Sequence, residues 1–323
     1  MRRFDQVMET WLYGDDGYYS RYRPIGKEGD FYTAVSATPF FGGCIALRLI
    51  EAIDQGRVSP QTTVCEIGAH HGYLMADVIQ FLYTLRPELL STLSFLIVER
   101  FEVLREQQKR YLYDSFGDAI QFSHVSSLQE LSLAEGFVFA NEIFDAFTAR
   151  IFKDGQEGWI DNDRLIWLKP DQAIEPENFS GEMAVGYEQF AIDLGNAFER
   201  CEFVTFDYGE NYPRGRLTMR IFDKHTTTPI EEIASFESLI GRCDITYDVD
   251  FSSLIRYFEG CGWRKKSFMT QMSALVDFGL PTLLEKLEKS VPYERYLAEV
   301  AKVKILISPD GMGERFKMVS FEK

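Results

Sequence analysis

The sequence predicts an α/β fold built on a parallel sheet covered on both faces. Three features carry that prediction. The runs TVCEIG (63–68), SFLIVE (94–99) and GFVFANE (136–142) are apolar almost throughout, as strands buried on both faces must be. Amphipathic helical stretches separate them, the alternation expected of parallel strands joined by crossover helices. Between about residues 150 and 200 the pattern changes to short strands joined by Asp, Gly and Asn turns, an inserted β-rich segment.

In chain order, residues 1–60 form an N-terminal cap segment with a helix, and residues 61–323 form the main domain. WLYGDDGYYSRYRPIGKEGDFYT (11–33) is rich in Tyr, Gly and charge and reads as a structured loop. Phe41, Ile45, Leu49 and Ile53 then fall on one face at four-residue spacing, which predicts a helix. After the strand TVCEIG, Leu74, Val78, Phe81, Leu82 and Leu85 give the next helix its apolar stripe. SFLIVE is followed by a second helix, FEVLREQQKRYLY (101–113), and GFVFANE is the next strand. ARIFKDGQEGWIDNDRLIWLKP (149–170) reads as a β-meander, and a helix is expected from Met183 to Arg200. EFVTFDYGE (202–210) returns to the core as a strand. DVDFSSLIRYFEGCGW (248–263) is a helix opened by Asp and Ser and closed by glycines. RKKSFMTQ (264–271) and RFKMVSFEK (315–323) are expected to pair antiparallel at the sheet edge, completing one compact domain.

Composition narrows the function. With 323 residues, 46% of them hydrophobic, the chain can bury a large core. Its formal net charge is −16, with no Lys/Arg-rich run, which argues against nucleic acid or an anionic membrane as partner. A cationic substrate is compatible with that charge. Five scattered cysteines and no CxxC pair argue against a disulfide framework or a metal site and fit a reducing compartment. The N-terminal stretch has no apolar core and no segment approaches a membrane span, so a soluble, cytosolic (cytoplasmic) protein is expected.

Two clusters carry chemical content. The first is Glu66, Gly68, Gly72 and Glu99. A glycine turn after a strand lets the backbone approach a ligand, and the following helix offers free N–H groups. An acid ending the next strand, here Glu99, can accept hydrogen bonds from both ribose hydroxyls. A dinucleotide fingerprint fails, because His70 and Tyr73 stand where its second and third glycines belong. S-adenosylmethionine carries no pyrophosphate and tolerates the looser E-x-G-x-x-x-G pattern, so it is preferred over a dinucleotide. His70 is a residue type that enters positive φ more readily than most, and as a neutral side chain it would line the cofactor pocket. The second cluster is Asn141, Glu142 and Asp145 in FANEIFDAF, beyond a core strand. Two carboxylates there suit a guanidinium, and equally suit a helix cap. GDFYT (29–33) and FDYGE (206–210) place Asp beside aromatics in Gly-containing segments, as pocket linings or turn stabilisers. His225 is a lone histidine read as structural.

Eight segments in order, GDFYT, EIGAHHGYLMAD, LIVERFEVLREQQ, ANEIFDAF, FDYGE, TMRIFDKH, DITYDVDF and DGMGERFK, resemble the MidA-like class I S-adenosylmethionine-dependent methyltransferases. That family includes mitochondrial complex I assembly arginine methyltransferases. The resemblance implies a seven-stranded Rossmann-like class I methyltransferase sheet with S-adenosyl-L-methionine as cofactor. It implies a protein substrate with a target arginine, for the mitochondrial branch in a respiratory complex I subunit. Gly68 and Gly72 match the family's cofactor loop, with Glu66 and His70 in the same turn, and Glu99 matches its ribose-binding acid. Asn141, Glu142 and Asp145 match its N-E-x-x-D-A signature, and Gly29 and Asp30 its G-D-F segment over the pocket. Glu142 and Asp145 are thus the expected catalytic carboxylates, with Asp30 as helper. The chain departs from the family at His70, at VSATPFFGG (35–43), which lacks two acids, and at Thr148 in place of proline. A methyltransferase on another acceptor, or an assembly factor that keeps the fold without catalysis, are the competing readings.

Overall fold

The computed structural model describes residues 1–21, 34–223 and 226–323. These residues gather into two compact units. One holds residues 34–141, 192–207 and 261–323; the other holds 1–21, 142–191 and the described part of 208–260.

The first unit is built on a seven-strand path. Its elements in chain order are α1 (Phe40–Asp54), β1 (Thr63–Ile67), α2 (Tyr73–Leu85), β2 (Ser94–Val98), α3 (Glu102–Phe116), β3 (Phe122–Val125) and β4 (Leu133–Asn141). They continue with β5 (Phe198–Glu210), β6 (Arg264–Thr270), α4 (Gln271–Asp277), α5 (Leu280–Ser290), α6 (Tyr293–Ile307) and β7 (Phe316–Glu322). The strand order is β3-β2-β1-β4-β5-β7-β6. Strands β3, β2, β1, β4 and β5 are mutually parallel, and β6 pairs antiparallel with β7 at the edge. The expected parallel sheet and its antiparallel edge pair are therefore present. Val64, Cys65, Phe137, Val138 and Phe139 are all fully buried, which explains why these strands read as continuous apolar runs.

Helix α1 buries Phe41, Ile45 and Leu49 on the predicted face. It also carries Gly42 and Gly43, where a β-carbon would lie 2.5 Å from Asp77 Cβ and 2.8 Å from Phe81 Cε1 respectively. A side chain at either position would have to displace those neighbours. Val35, where one of the two acids is missing, packs against the core of this unit. The three helices α4 to α6 between β6 and β7 are an addition to the predicted pattern.

The second unit joins the helix Phe4–Tyr13 to two small sheets. Strands 149–153, 156–161 and 164–168 form the expected meander, extended by Arg2–Arg3 and by Gly181–Ala184. The helix expected from Met183 to Arg200 is shorter, Tyr187–Ala197. Met183 instead pairs antiparallel with Arg150, and Phe198 starts β5, so non-local strand pairing overrides helical pattern at both ends. A three-stranded sheet contains Arg220–Asp223, Thr226–Pro229 and Asp244–Thr246. Phe4, Met8, Trp11 and Leu12 pack with Ile221, Phe236 and Ile245, and Trp11 Nε1 donates to Cys243 O at 2.7 Å. The residues Tyr208–Glu210 ending β5 belong here, with Gly209 and Glu210 parallel to Val249 and Asp250.

Candidate functional site

In the first unit, β1 and β2 end side by side, with Ile67 opposite Val98. The pairing continues one step further through Gly68 N–H, which donates to Val98 O at 3.0 Å. The chain then turns: Gly68 sits at φ 70°, His70 at φ 47° and Gly72 at φ 78°, and Gly72 N–H closes the turn on Ala69 O at 2.8 Å. Three left-handed residues in five reproduce the glycine turn expected from the sequence, with His70 standing in for its middle glycine. Burial and the neighbouring His71 push the His70 imidazole down to about 3, so it is neutral at physiological pH. Its ring stacks on His71 at 4.2 Å and its Nδ1 meets His71 Nδ1.

Glu66 lies inside β1 and its Oε2 accepts from Met75 N–H at 3.0 Å, capping the first turn of α2. Burial pushes this carboxyl up to about 8, so it is a neutral acid at pH 7. Glu99 follows β2. Its Oε1 accepts from Phe101 N–H at 3.2 Å and its Oε2 from Gln108 Nε2 at 3.3 Å. Burial raises this carboxyl from its ordinary range, against the lowering effect of those hydrogen bonds. Arg105 Nη1 donates to Glu99 O and Arg100 O, each at 2.8 Å, tying α3 to the end of β2. Asn141 is the last residue of β4.

Gln108 and Arg105 were not singled out by the sequence reading. For Gln108 the signal was available: it shares a face of α3 with Leu104 and Leu112 at four-residue spacing, a polar side chain within an apolar stripe. Its Nε2 also donates to His70 O at 2.9 Å.

In the second unit, Glu142 is half-buried at φ 53°, a left-handed conformation that a residue with a β-carbon enters at a cost. The chain continues into a single 3-10 turn, Phe144–Ala146, which buries Asp145. Tyr208 Oη donates to Asp145 Oδ2 at 2.5 Å, and Tyr247 N–H donates to Asp145 O at 3.3 Å. Phe144 is packed by Phe147 and Phe190 and by Tyr187, whose hydroxyl donates to Phe144 O at 3.1 Å. The FDYGE segment is the end of β5, as the strand expected over 202–210 implies, and its backbone finds parallel partners on β4 and at Val249–Asp250. Gly29, Asp30 and the rest of GDFYT lie outside the described residues, as does His225.

Comparison with known proteins places these features in context. A family model described as S-adenosyl-L-methionine-dependent methyltransferase matches residues 44–183 and 168–269. The chain is 23% identical over 342 residues to the mitochondrial protein arginine methyltransferase NDUFAF7 of Rattus norvegicus, spanning 93% of this chain and 76% of the relative. It is 24% identical to the Danio rerio protein of the same name over 345 residues, spanning 94% and 79%. Its fold is similar to that of a Burkholderia thailandensis protein crystallised with S-adenosyl-homocysteine, with a TM-score of 0.84 at 24% identity over 99% of this chain and 87% of the other. The names of the curated relatives place them in mitochondria, which overturns the cytosolic setting expected from the sequence. Composition and hydropathy report solubility and do not specify a compartment.

Proposed function

This chain belongs to the S-adenosyl-L-methionine-dependent methyltransferases, and from that premise we propose that its methyl acceptor is an arginine guanidinium on a partner protein. It is an enzyme whose methyl donor is S-adenosyl-L-methionine. The residues around the turn suit that donor. The Glu99 carboxylate accepts from Phe101 N–H, Gln108 Nε2 and the His70 backbone N–H, and has acceptor capacity left for a ribose hydroxyl. Neutral Glu66 adds no charge that would repel a ligand carboxylate. When bound, the donor supplies an electrophilic sulfonium methyl. We assign Glu66, Gly68, His70, Gly72, Glu99 and Asn141 to holding it, together with Gly29, which lies outside the described residues.

A guanidinium is a poor nucleophile because it stays protonated, with a pKa of about 12.5–13.8. A carboxylate that accepts two of its N–H groups draws the positive charge toward those nitrogens and leaves the third richer in electrons. In this proposal Glu142 is that carboxylate, and Asp145 adds negative charge while holding the turn through Tyr208. Asp30 assists as the proton leaves. The observation that supports the reading most is Glu142 itself, an acidic residue kept in a strained backbone conformation of the kind that gathers at functional sites.

The protein arginine methyltransferase relatives and the net charge of −16 support a cationic protein acceptor. A respiratory complex I subunit, implied by the resemblance, is the first partner to test. The experiment supplies S-adenosyl-L-methionine with an isotopically labelled methyl to the purified chain and proteins from cells lacking it, then reads labelled residues by tandem mass spectrometry. Label on arginine, abolished by Glu142→Gln, is the expected result. Label confined to lysine, histidine or small molecules would exclude the arginine assignment.

A further inference from the structure

Gln108 is fully buried in the middle of α3. A buried amide is costly unless its hydrogen-bonding groups are used. Its Nε2 reaches two acceptors, His70 O at 2.9 Å and Glu99 Oε2 at 3.3 Å. A carbonyl and a carboxylate can only accept, so the amide nitrogen must face them, and the orientation of the side chain is fixed by its neighbours. The stem of the same residue lies against the end of the turn, where a β-carbon at Gly72 would meet Gln108 Cγ at 3.5 Å. One side chain therefore touches the middle of the turn, its last residue and the acid that follows β2.

The turn needs such a contact. His70 occupies a left-handed conformation that glycine enters freely and a residue with a β-carbon does not. Its backbone N–H bonds to Glu99, which holds the peptide before it. The hydrogen bond from Gln108 to its carbonyl fixes the orientation of the peptide that follows, and the two together select that conformation. The second hydrogen bond from Gln108 restrains the Glu99 carboxylate.

We propose that Gln108 is a positioning residue for the methyl donor: it locks the His70 turn in place of a glycine and aims Glu99 at the ribose hydroxyls. The second half rests on the reading of Glu99 as the ribose acid. Gln108 acts through His70 and Glu99, and its loss is felt as weaker donor binding.

Calorimetric titration of the purified full chain with S-adenosyl-homocysteine tests this, with thermal unfolding of each variant alongside. Gln108→Met keeps the volume and removes the amide, and is expected to weaken binding about ten-fold. In a His70→Gly background the same change should cost less, about three-fold, because glycine adopts the turn unaided. Equal losses in both backgrounds would make Gln108 core packing only and overturn the proposal, as would wild-type affinity in Gln108→Met. Glu99→Ala separates the two halves: unchanged affinity there overturns the ribose reading and the aiming of Glu99, while the His70 cycle still decides the turn. Should Gln108→Met fail to fold, the nearly isosteric Gln108→Glu gives a readout that packing does not move. Beside Glu99 it can donate only when protonated, so its affinity relative to wild type should recover as pH is lowered. A constant ratio across pH would overturn the proposal.

Discussion

Tyr208 donates its phenolic hydrogen to Asp145 Oδ2 at 2.5 Å, and both residues are buried. The guanidinium of Arg220 lies over the Tyr208 ring, 5.0 Å from its centroid. Burial raises the Asp145 carboxyl to about 6, while the Tyr208 hydrogen bond and the Arg220 charge pull it down. Because the folded value lies above the ordinary 3.8, the stability this group contributes is fully present below 3.8 and is lost as pH rises to about 6.

Tyr208→Phe removes the donor that makes the charged form tolerable. Urea unfolding at pH 8 should show a loss of about 1.5–3 kcal/mol, the usual worth of a hydrogen bond to a charged group. As pH is lowered and Asp145 takes up its proton, the penalty should shrink. An equal penalty at every pH would contradict the account.

Glu66 has the same sign and a wider window. Its carboxyl lies at about 8 against an ordinary 4.5, so the stability it contributes declines as pH rises through that interval. Glu66→Gln keeps the acceptor for Met75 N–H and removes the titration. The variant should therefore match wild type near pH 4.5 and become the more stable protein at pH 8 and above, as read by denaturant midpoints. A parallel pH dependence in both proteins would show that Glu66 is ionised in the fold.

Gly72 tests whether backbone conformation or space controls the turn. The nearest atom to a β-carbon there would be Gln108 Cγ at 3.5 Å, an ordinary contact, whereas φ is 78°. Gly72→Ala should cost about 1–2 kcal/mol from the backbone alone. Gly72→Asn, though larger, should cost less, because Asn visits the left-handed region more readily. Thermal unfolding that ranks Asn below Ala would point to crowding instead.

Glu202 is buried between Arg48 Nε at 2.8 Å and Arg57 Nη1 at 2.6 Å. Glu51 also pairs with both arginines, at 2.7 and 3.3 Å. Glu202→Ala therefore leaves two guanidinium groups sharing one part-exposed carboxylate, and should cost somewhat less than a fully broken buried pair, which costs about 3–5 kcal/mol. Replacing all three residues by apolar ones of similar size should cost far less, since the pair's attraction is largely spent on desolvation. Guanidinium chloride unfolding of the single and triple variants decides the matter.

The sheet was legible in the sequence because β1, β2 and β4 are buried on both faces and leave an unbroken apolar signature. The turn was legible through Gly68, Gly72 and the acid Glu99, whose chemistry is local. What local pattern could not show is pairing across the chain. Met183 looked helical until its partner Arg150 was known, and the Arg2–Arg3 strand exists only through its pairing with residues 156–161. Tyr208 and Asp145 are 63 residues apart, so a tyrosine in FDYGE gave no hint of its acceptor. Gln108 and α5 were different. The stripe Leu104, Gln108, Leu112 and the spacing of Leu280, Leu283, Leu284 and Leu287 are both local patterns of the sequence.

We propose that the turn from Gly68 to Gly72 holds the methyl donor with His70 in it, and that Glu99 is the ribose acid. Calorimetric titration of the folded chain with S-adenosyl-L-methionine, beside Glu99→Ala, tests it most directly. Saturable binding that weakens at least about ten-fold in the variant is the result predicted. A folded wild-type protein that takes up no S-adenosyl-L-methionine would contradict it.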